Sequence, residues 1–157
     1  MSTDIVWIDM DNSGSDPETD LILNFACFIT DKDGNIKSVG PYFAINHPEE
    51  KFYKSGSFQM SVARELGVLD RCRNSSVKPE QAEDLMLNYL KNNVPRKACP
   101  IAGPFIHIDR VFIKKHMPSV DDYLNHDFVH LIVRYYPTPL PRMLTVHRCR
   151  GLAPVPY

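Results

Sequence analysis

The most informative stretch of this sequence is Val6-Trp7-Ile8-Asp9-Met10-Asp11-Asn12-Ser13-Gly14. Its apolar, β-prone first half predicts a strand, and successive strand side chains point to opposite faces, so Asp9 and Asp11 share one face. Two neighbouring carboxylates repel each other unless a cation lies between them, and hard divalent ions such as Mg²⁺ prefer oxygen ligands. The pair therefore indicates either a metal site or a solvated strand end, and taken alone it favours the solvated end.

Length and composition indicate an ordinary globular domain. The chain has 157 residues, of which 43% are hydrophobic and 24% charged, and this is enough for one sizeable core. Its net charge of -1 provides no basic field for gripping long nucleic acid, so a nucleic-acid ligand would be short and held locally. No apolar run is long enough to span a membrane, and the N-terminus lacks a signal-peptide pattern.

The cysteines bear on the compartment. Cys27, Cys72, Cys99 and Cys149 are widely dispersed and show no metal-binding spacing, which favours reduced thiols. We therefore expect an intracellular protein without a membrane partner, located in the cytoplasm, with the mitochondrion or the nucleus as alternatives.

The order of the predicted elements indicates one α/β domain. Antiparallel strands come first, and strands and helices then alternate. The predicted strands are residues 4–9, 21–30, 36–45 and 99–103, and the predicted helices are residues 61–70, about 79–93, 108–116 and 127–136. The stretch 48–61 is polar and reads as irregular. Residues 1–149 form the predicted domain, and residues 150–157 form a proline-rich tail.

Several segments, taken in chain order, resemble the oligoribonuclease family. The segment Trp7 to Gly14 resembles that family's first exonuclease motif, a strand followed by Asp-Met-Glu-Met-Thr-Gly-Leu. The second motif is resembled by Cys99-Pro100-Ile101-Ala102-Gly103 and His107-Ile108-Asp109-Arg110-Val111-Phe112-Ile113, and later segments by Arg134-Tyr135-Tyr136-Pro137 and His147-Arg148. The matches cover about residues 5–149, which makes them more specific than any single motif.

The resemblance implies a ribonuclease H-like exonuclease fold, with a mixed sheet, antiparallel N-terminal strands and flanking helices. It also implies a homodimer that removes nucleotides from the 3′ end of short single-stranded RNA with two divalent metals, Mg²⁺ or Mn²⁺. Asp9, Asp11 and Asp109 fall at metal-ligand positions, and His147 falls at the general base. Two metals clamp the scissile phosphate and lower the pKa of the attacking water, whose proton a histidine can take.

Three further positions match the family's substrate contacts. Tyr123 is either a phosphate contact through its hydroxyl or an ordinary half-buried aromatic residue. Phe58 falls at an aromatic stacking position. Ser15 stands where the family has a leucine that wedges between the terminal bases, and a hydroxymethyl group cannot replace that wedge.

Two departures concern the metal site itself. Asp11 stands where the family has glutamate, so its carboxylate reaches one methylene less far. Leu152 stands where the family's third motif has its last metal-ligand aspartate, and Pro- and Gly-rich residues replace the helix that carries it, so we expect that C-terminal helix to be lost.

These departures leave three interpretations open. The first is a 3′-to-5′ exoribonuclease with impaired catalysis. The second is a catalytically inactive homologue that binds nucleic acid or a protein. The third is an altered terminus, with active full-length relatives.

Overall fold

The computed structural model describes residues 4–53, 56–132 and 145–149, with the backbone alone over 130–132 and 145–149. Its strands are β1 (Ile5–Asn12), β2 (Ile22–Thr30), β3 (Ile36–Ala44), β4 (Ile101–Gly103), β5 (Phe128–Ile132) and β6 (Thr145–Cys149). Its helices are α1 (Phe58–Glu65), α2 (Val68–Asn74), α3 (Pro79–Asn93), α4 (Ile106–His116) and α5 (Pro118–Tyr123), with a 3₁₀ helix at Glu49–Tyr53.

The described strands form one mixed sheet in the order β3-β2-β1-β4-β5-β6. The first three strands are antiparallel neighbours, β1, β4 and β5 run parallel, and β6 returns antiparallel to β5. The expectation of a mixed sheet with antiparallel N-terminal strands and flanking helices is therefore confirmed. β1 lies inside the sheet, so its apolar side chains are buried while its last residues reach an edge of the domain.

A glycine allows β4 to approach β1 closely. A Cβ atom on Gly103 would lie 2.2 Å from the carbonyl oxygen of Ile8. The register pairs Val6 with Ile101 and Trp7 with Ala102, so β4 ends beside Ile8. The acidic end of β1 therefore extends beyond its parallel neighbour, where α4 begins.

The burial of side chains alternates along β1 because one face of the strand packs into the main core. Val6, Ile8 and Met10 are buried with side chains of α3 and α4 in one cluster. The intervening Trp7 lies on the other face, where it stacks on Phe28 and its Nε1 donates to Thr30 Oγ1 at 2.9 Å. Asp9 and Asp11 share the face of Trp7, as period-two alternation predicts.

A second cluster packs α1 and α2 against β2. Its buried members are Leu23, Phe52, Met60, Ala63, Val68, Leu69 and Cys72. This cluster fixes the start of α1 beside the end of β1. Among the described ranges, no helix combines the length and apolarity needed to cross a membrane.

Several sequence-based boundaries were wrong. The helix predicted over 127–136 is a strand in its described part, β5, because its short apolar run pairs with the buried parallel strand β4. The single helix predicted over 61–70 is two helices, α1 and α2, which separate at Gly67 with φ +69°. The region 48–61 also contains a 3₁₀ helix and the start of α1. The proline-rich tail and the expected loss of a terminal helix lie outside the described residues.

Candidate functional site

Three carboxylates meet at the carboxyl end of β1. Asp9 and Asp11 lie on the exposed face of the strand, and Asp109 projects from the first turn of α4. Asp109 is 2% exposed, and its Oδ2 is buried without a hydrogen-bond partner in the part of the chain that the structure describes. Burial, and then the Asp9 and Asp11 carboxylates, raise the pKa of Asp109 to about 7.

The same electrostatic coupling acts on Asp9. Incomplete hydration at the strand end and then the Asp11 carboxylate raise the pKa of Asp9, against the opposing effect of a hydrogen bond from the Met10 backbone. Like charges placed this close together are unfavourable for the fold itself. The cluster therefore resembles a binding site more than a structural feature.

The donor type at this cluster is the one that hard divalent cations prefer, since all three side chains offer carboxylate oxygens. The unpartnered Asp109 Oδ2 is an atom that such an ion would satisfy. Within the described residues, however, no group of three or more His, Cys, Asp or Glu side chains is arranged to hold an ion as it stands. The cluster therefore fits a cation in the chemical type of its donors.

A cleft of about 390 Å³ opens beside the acidic cluster. Asp11, Asp109, Ser15 and Phe58 all line it, so the structure brings together four of the seven residues predicted for the site. Phe58 is 81% exposed although its aromatic ring is apolar. The remaining lining residues are mostly apolar: Met10, Asn12, Gly14, Gln59, Val62, Ala63, Leu66, Val68, Phe105 and Ile108.

Ser57 holds Phe58 at the cleft. It is the N-cap of α1, and its Oγ accepts a hydrogen bond from the backbone N–H of Met60 at 3.1 Å. The same hydroxyl donates to the carbonyl oxygen of Ser13, in the loop that follows β1. The start of α1 is thus fixed directly to the end of the strand that carries the two aspartates.

Asp20 organises the loop that carries Ser15. Its buried carboxylate accepts hydrogen bonds from Ser13 Oγ and from the backbone N–H of Asp16, both at 3.0 Å. A Cβ atom on Gly14 would lie 2.2 Å from Asp20 Oδ2, so only glycine leaves room for this arrangement. The loop is therefore closed by its own hydrogen bonds, and Ser15 faces the cleft.

Helix α4 also contacts this loop from its far end. His116 Nε2 lies 3.0 Å from the carbonyl oxygen of Pro17, and Lys115 Nζ lies 2.5 Å from Glu18 Oε2. Burial lowers the pKa of His116. The helix that carries Asp109 is thereby fixed relative to the loop that carries Ser15.

Of the other three predicted residues, Asp9 belongs to the acidic cluster beside the cleft, Tyr123 lies away from the cleft, and the side chain of His147 is outside the described part of the chain. The Tyr123 hydroxyl donates to the carbonyl oxygen of Val94 at 2.8 Å, and Tyr123 lines a separate depression with Lys91 and Arg96. His147 pairs with His130 between β6 and β5, in the part described by backbone alone. The roles assigned to Tyr123 and His147 stay predictions.

Two residues at the site were missed by sequence reasoning. Phe105 is 62% exposed in the cleft, directly after the Gly103-Pro104 break between β4 and α4. Asn24 contacts Asp11 from β2. The signal for Asn24 was available, because it is a polar residue inside an otherwise apolar strand.

Comparisons with known proteins agree with this architecture. An exonuclease family model (RNase_T) matches residues 6–144. A probable oligoribonuclease of Drosophila melanogaster is 43% identical over 94% of this chain and 74% of its own length. This chain belongs to the oligoribonuclease family. The oligoribonuclease of Vibrio campbellii is 34% identical over 80% of this chain and 69% of its own length.

Solved structures support the fold at lower identity. An apo exonuclease I structure matches with a TM-score of 0.57 and 14% identity over 79% of this chain. A product-bound exonuclease I matches with a TM-score of 0.54 and 15% identity over 77% of this chain. This chain spans only 29% and 24% of those two exonuclease I chains. With the family model, these similarities confirm the ribonuclease H-like exonuclease fold.

Proposed function

We propose that this chain is a 3′-to-5′ exoribonuclease that degrades short oligoribonucleotides to mononucleotides. Membership of the oligoribonuclease family supports the reaction and the substrate class. The observation that carries the proposal is the convergence of Asp9, Asp11 and Asp109 beside an apolar cleft with exposed aromatic rings.

Asp9, Asp11 and Asp109 would hold Mg²⁺ or Mn²⁺. When bound, such ions offset the charge of the scissile phosphate and lower the pKa of an attacking water. With a pKa of about 7, Asp109 retains its proton on a substantial fraction of molecules at neutral pH. Cation binding should therefore release a proton from the protein, and cation affinity should rise with pH.

The cleft suits the end of a short RNA. Exposed aromatic faces such as those of Phe58 and Phe105 stack on nucleobases, which is worth about 1–3 kcal/mol per base. Ser15 offers a hydroxyl that can hydrogen-bond to a sugar or a phosphate. The side chain of His147 would take the proton of the attacking water, as the family resemblance implies.

Assembly and location belong to the same proposal. A homodimer is expected from the family resemblance, and sedimentation of the purified chain would measure it. We also propose an intracellular location, in the cytoplasm, with the mitochondrion or the nucleus as alternatives. One relative, from Mus musculus, is named a mitochondrial oligoribonuclease.

A direct assay tests the proposal. RNAs of two to five nucleotides, labelled at the 5′ end, are incubated with the chain and Mn²⁺. We expect progressively shorter labelled products and released mononucleotides, with loss of this activity in Asp9→Ala. Asp84→Asn, which changes an exposed carboxylate on α3, is the matched control and should retain activity. Product formation no greater than in Asp9→Ala would refute the proposed reaction.

A second candidate function is a binding module without catalysis, and Leu152 favours it. This residue stands where the family has its last metal-ligand aspartate, so a second cation would be held weakly. The variant Leu152→Asp should increase RNA hydrolysis if the rest of the site is assembled. Tight binding of two Mn²⁺ ions by the unmodified chain, measured by calorimetry, would argue against the binding module.

A further inference from the structure

Asn24 breaks the apolar pattern in the interior of strand β2. The strand reads Ile22-Leu23-Asn24-Phe25-Ala26-Cys27-Phe28-Ile29-Thr30 and lies between β1 and β3, so it has a neighbour on both sides. Asparagine is depleted in strands, and a buried amide is costly unless its polar atoms are paired. Asn24 is nevertheless 8% exposed. A residue that is unfavourable for its strand calls for a reason outside the strand.

The strand register places that residue at the acidic cluster. Asn24 lies directly opposite Asp11 in the antiparallel pairing of β1 and β2, so the two side chains share one face of the sheet. Its Nδ2 donates to Asp11 Oδ2 at 3.2 Å. The amide nitrogen must face Asp11, because the amide oxygen would repel the carboxylate.

The other half of the amide is left without a partner. Asn24 Oδ1 is buried and makes no hydrogen bond within the described part of the chain. A residue selected only for stability would have both ends paired or would be apolar, because an unpaired buried acceptor destabilises the fold. What Asn24 provides is one donor to Asp11 without a fourth negative charge beside Asp9, Asp11 and Asp109.

We propose that Asn24 is a positioning residue, whose amide holds the Asp11 carboxylate in the orientation needed for cation binding. This inference rests on the proposed function for its catalytic consequence, but the contact itself can be tested without RNA or metal. The contact matters because the Asp11 side chain is one methylene shorter than the glutamate of the family, so its carboxylate has less reach with which to meet a cation. Without Asn24, the described structure offers no other side-chain donor that fixes the Asp11 carboxylate.

A matched pair of variants separates positioning from packing. Asn24→Thr and Asn24→Val have nearly the same shape and both suit a strand, but only threonine keeps a hydroxyl donor. We expect Asn24→Val to be at least as stable to heat as Asn24→Thr. In calorimetry without RNA, Asn24→Val should bind Mn²⁺ roughly 10- to 100-fold more weakly than Asn24→Thr. Its kcat on short RNA should fall while its KM changes little. An Mn²⁺ affinity and a kcat in Asn24→Val equal to those of the unmodified chain would overturn the inference.

A metal-free measurement distinguishes this inference from the proposed function. In NMR spectra with chelator, the Asn24 side-chain amide protons should exchange slowly with solvent, and Asp11→Ala should accelerate that exchange. If the unmodified chain neither hydrolyses RNA nor binds Mn²⁺, the proposed function fails, while the amide exchange still tests the contact. Unchanged exchange in Asp11→Ala would overturn the positioning role by itself.

Discussion

Asp109 and Arg110 are adjacent on α4, and both are buried, yet their surroundings differ completely. Arg110 Nε donates to Asp121 Oδ1 at 2.6 Å, and its two terminal nitrogens donate to the carbonyl oxygens of Asn125 at 2.8 Å and Asp121 at 3.1 Å. Asp109 has a buried oxygen without a partner in the described chain, and its charged neighbours are Asp9 and Asp11.

This contrast separates a charge that holds the fold from a charge that is available to a ligand. A buried charge is tolerated when hydrogen bonds and an opposite charge replace its hydration, as they do for Arg110. Among the described residues, Asp109 has no opposite charge beside it and its buried Oδ2 has no hydrogen-bond partner, so the fold carries a cost at that position. The following experiments test whether the two charges behave as this contrast requires.

The largest effect should come from Arg110→Ala. Removing the guanidinium leaves the Asp121 carboxylate without its ion-pair partner and removes the donors that hold the chain after α5. Loss of one partner of a buried ion pair typically costs about 3–5 kcal/mol. We therefore expect the free energy of unfolding in urea to fall by about that amount.

The double variant Arg110→Ala with Asp121→Ala is the control for Arg110→Ala. It removes the orphaned carboxylate, so it should recover part of the lost stability. A single variant as stable as the unmodified chain would show that Arg110 is not a structural charge, and the comparison with Asp109 would fail.

Substitution of Asp109 should have the opposite sign and depend on pH. An unfolded aspartate titrates near pH 3.9, whereas the pKa of Asp109 in the fold is about 7. The folded state therefore holds this proton more tightly, and the resulting stabilisation is lost as pH rises through about 7. Asp109→Asn has no such loss. Between about pH 5.5 and about pH 8.5, the free energy of unfolding of the unmodified chain should fall by roughly 2 kcal/mol relative to that of the variant.

Urea unfolding of metal-free protein at both pH values checks this sign, with Asp84→Asn as the exposed control. The same Asp109→Asn variant should lose RNA hydrolysis, which would be a gain in stability at the expense of function. If the free energy of unfolding changed with pH equally in the variant and in the unmodified chain, the charge of Asp109 would not destabilise the fold, and the contrast with Arg110 would fail.

The two charges also show how far the sequence can be interpreted. The shared face of Asp9 and Asp11 follows from period-two alternation, which is local. The partners of Arg110 come from α5 and the residues after it, and α5 was not predicted because its six residues are too short for a periodic signal. The positions of Asp109 and Arg110 on α4 therefore did not reveal which of the two charges has a partner.

Tertiary packing decided the remaining differences. β5 is a short apolar run that fits a buried helix or a buried strand equally well, and its pairing with β4 selects the strand. Phe105 joined the cleft only because α4 begins beside the end of β1. Asn24, in contrast, was detectable as a polar residue in an apolar strand. Its pairing with Asp11 was not predictable from the sequence.

The smallest effect should come from an ion pair of similar distance in a different environment. Arg96 lies 2.5 Å from Asp122, but the two side chains are 56% and 64% exposed, whereas those of Arg110 and Asp121 are 11% and 19% exposed. Water replaces a lost partner at the surface, so Arg96→Ala should leave the free energy of unfolding almost unchanged. Measured beside Arg110→Ala in the same urea series, this pair holds distance constant and varies burial. A loss as large as that of Arg110→Ala would mean that burial does not distinguish the structural charges of this fold, and the unpaired state of Asp109 would then lose its significance.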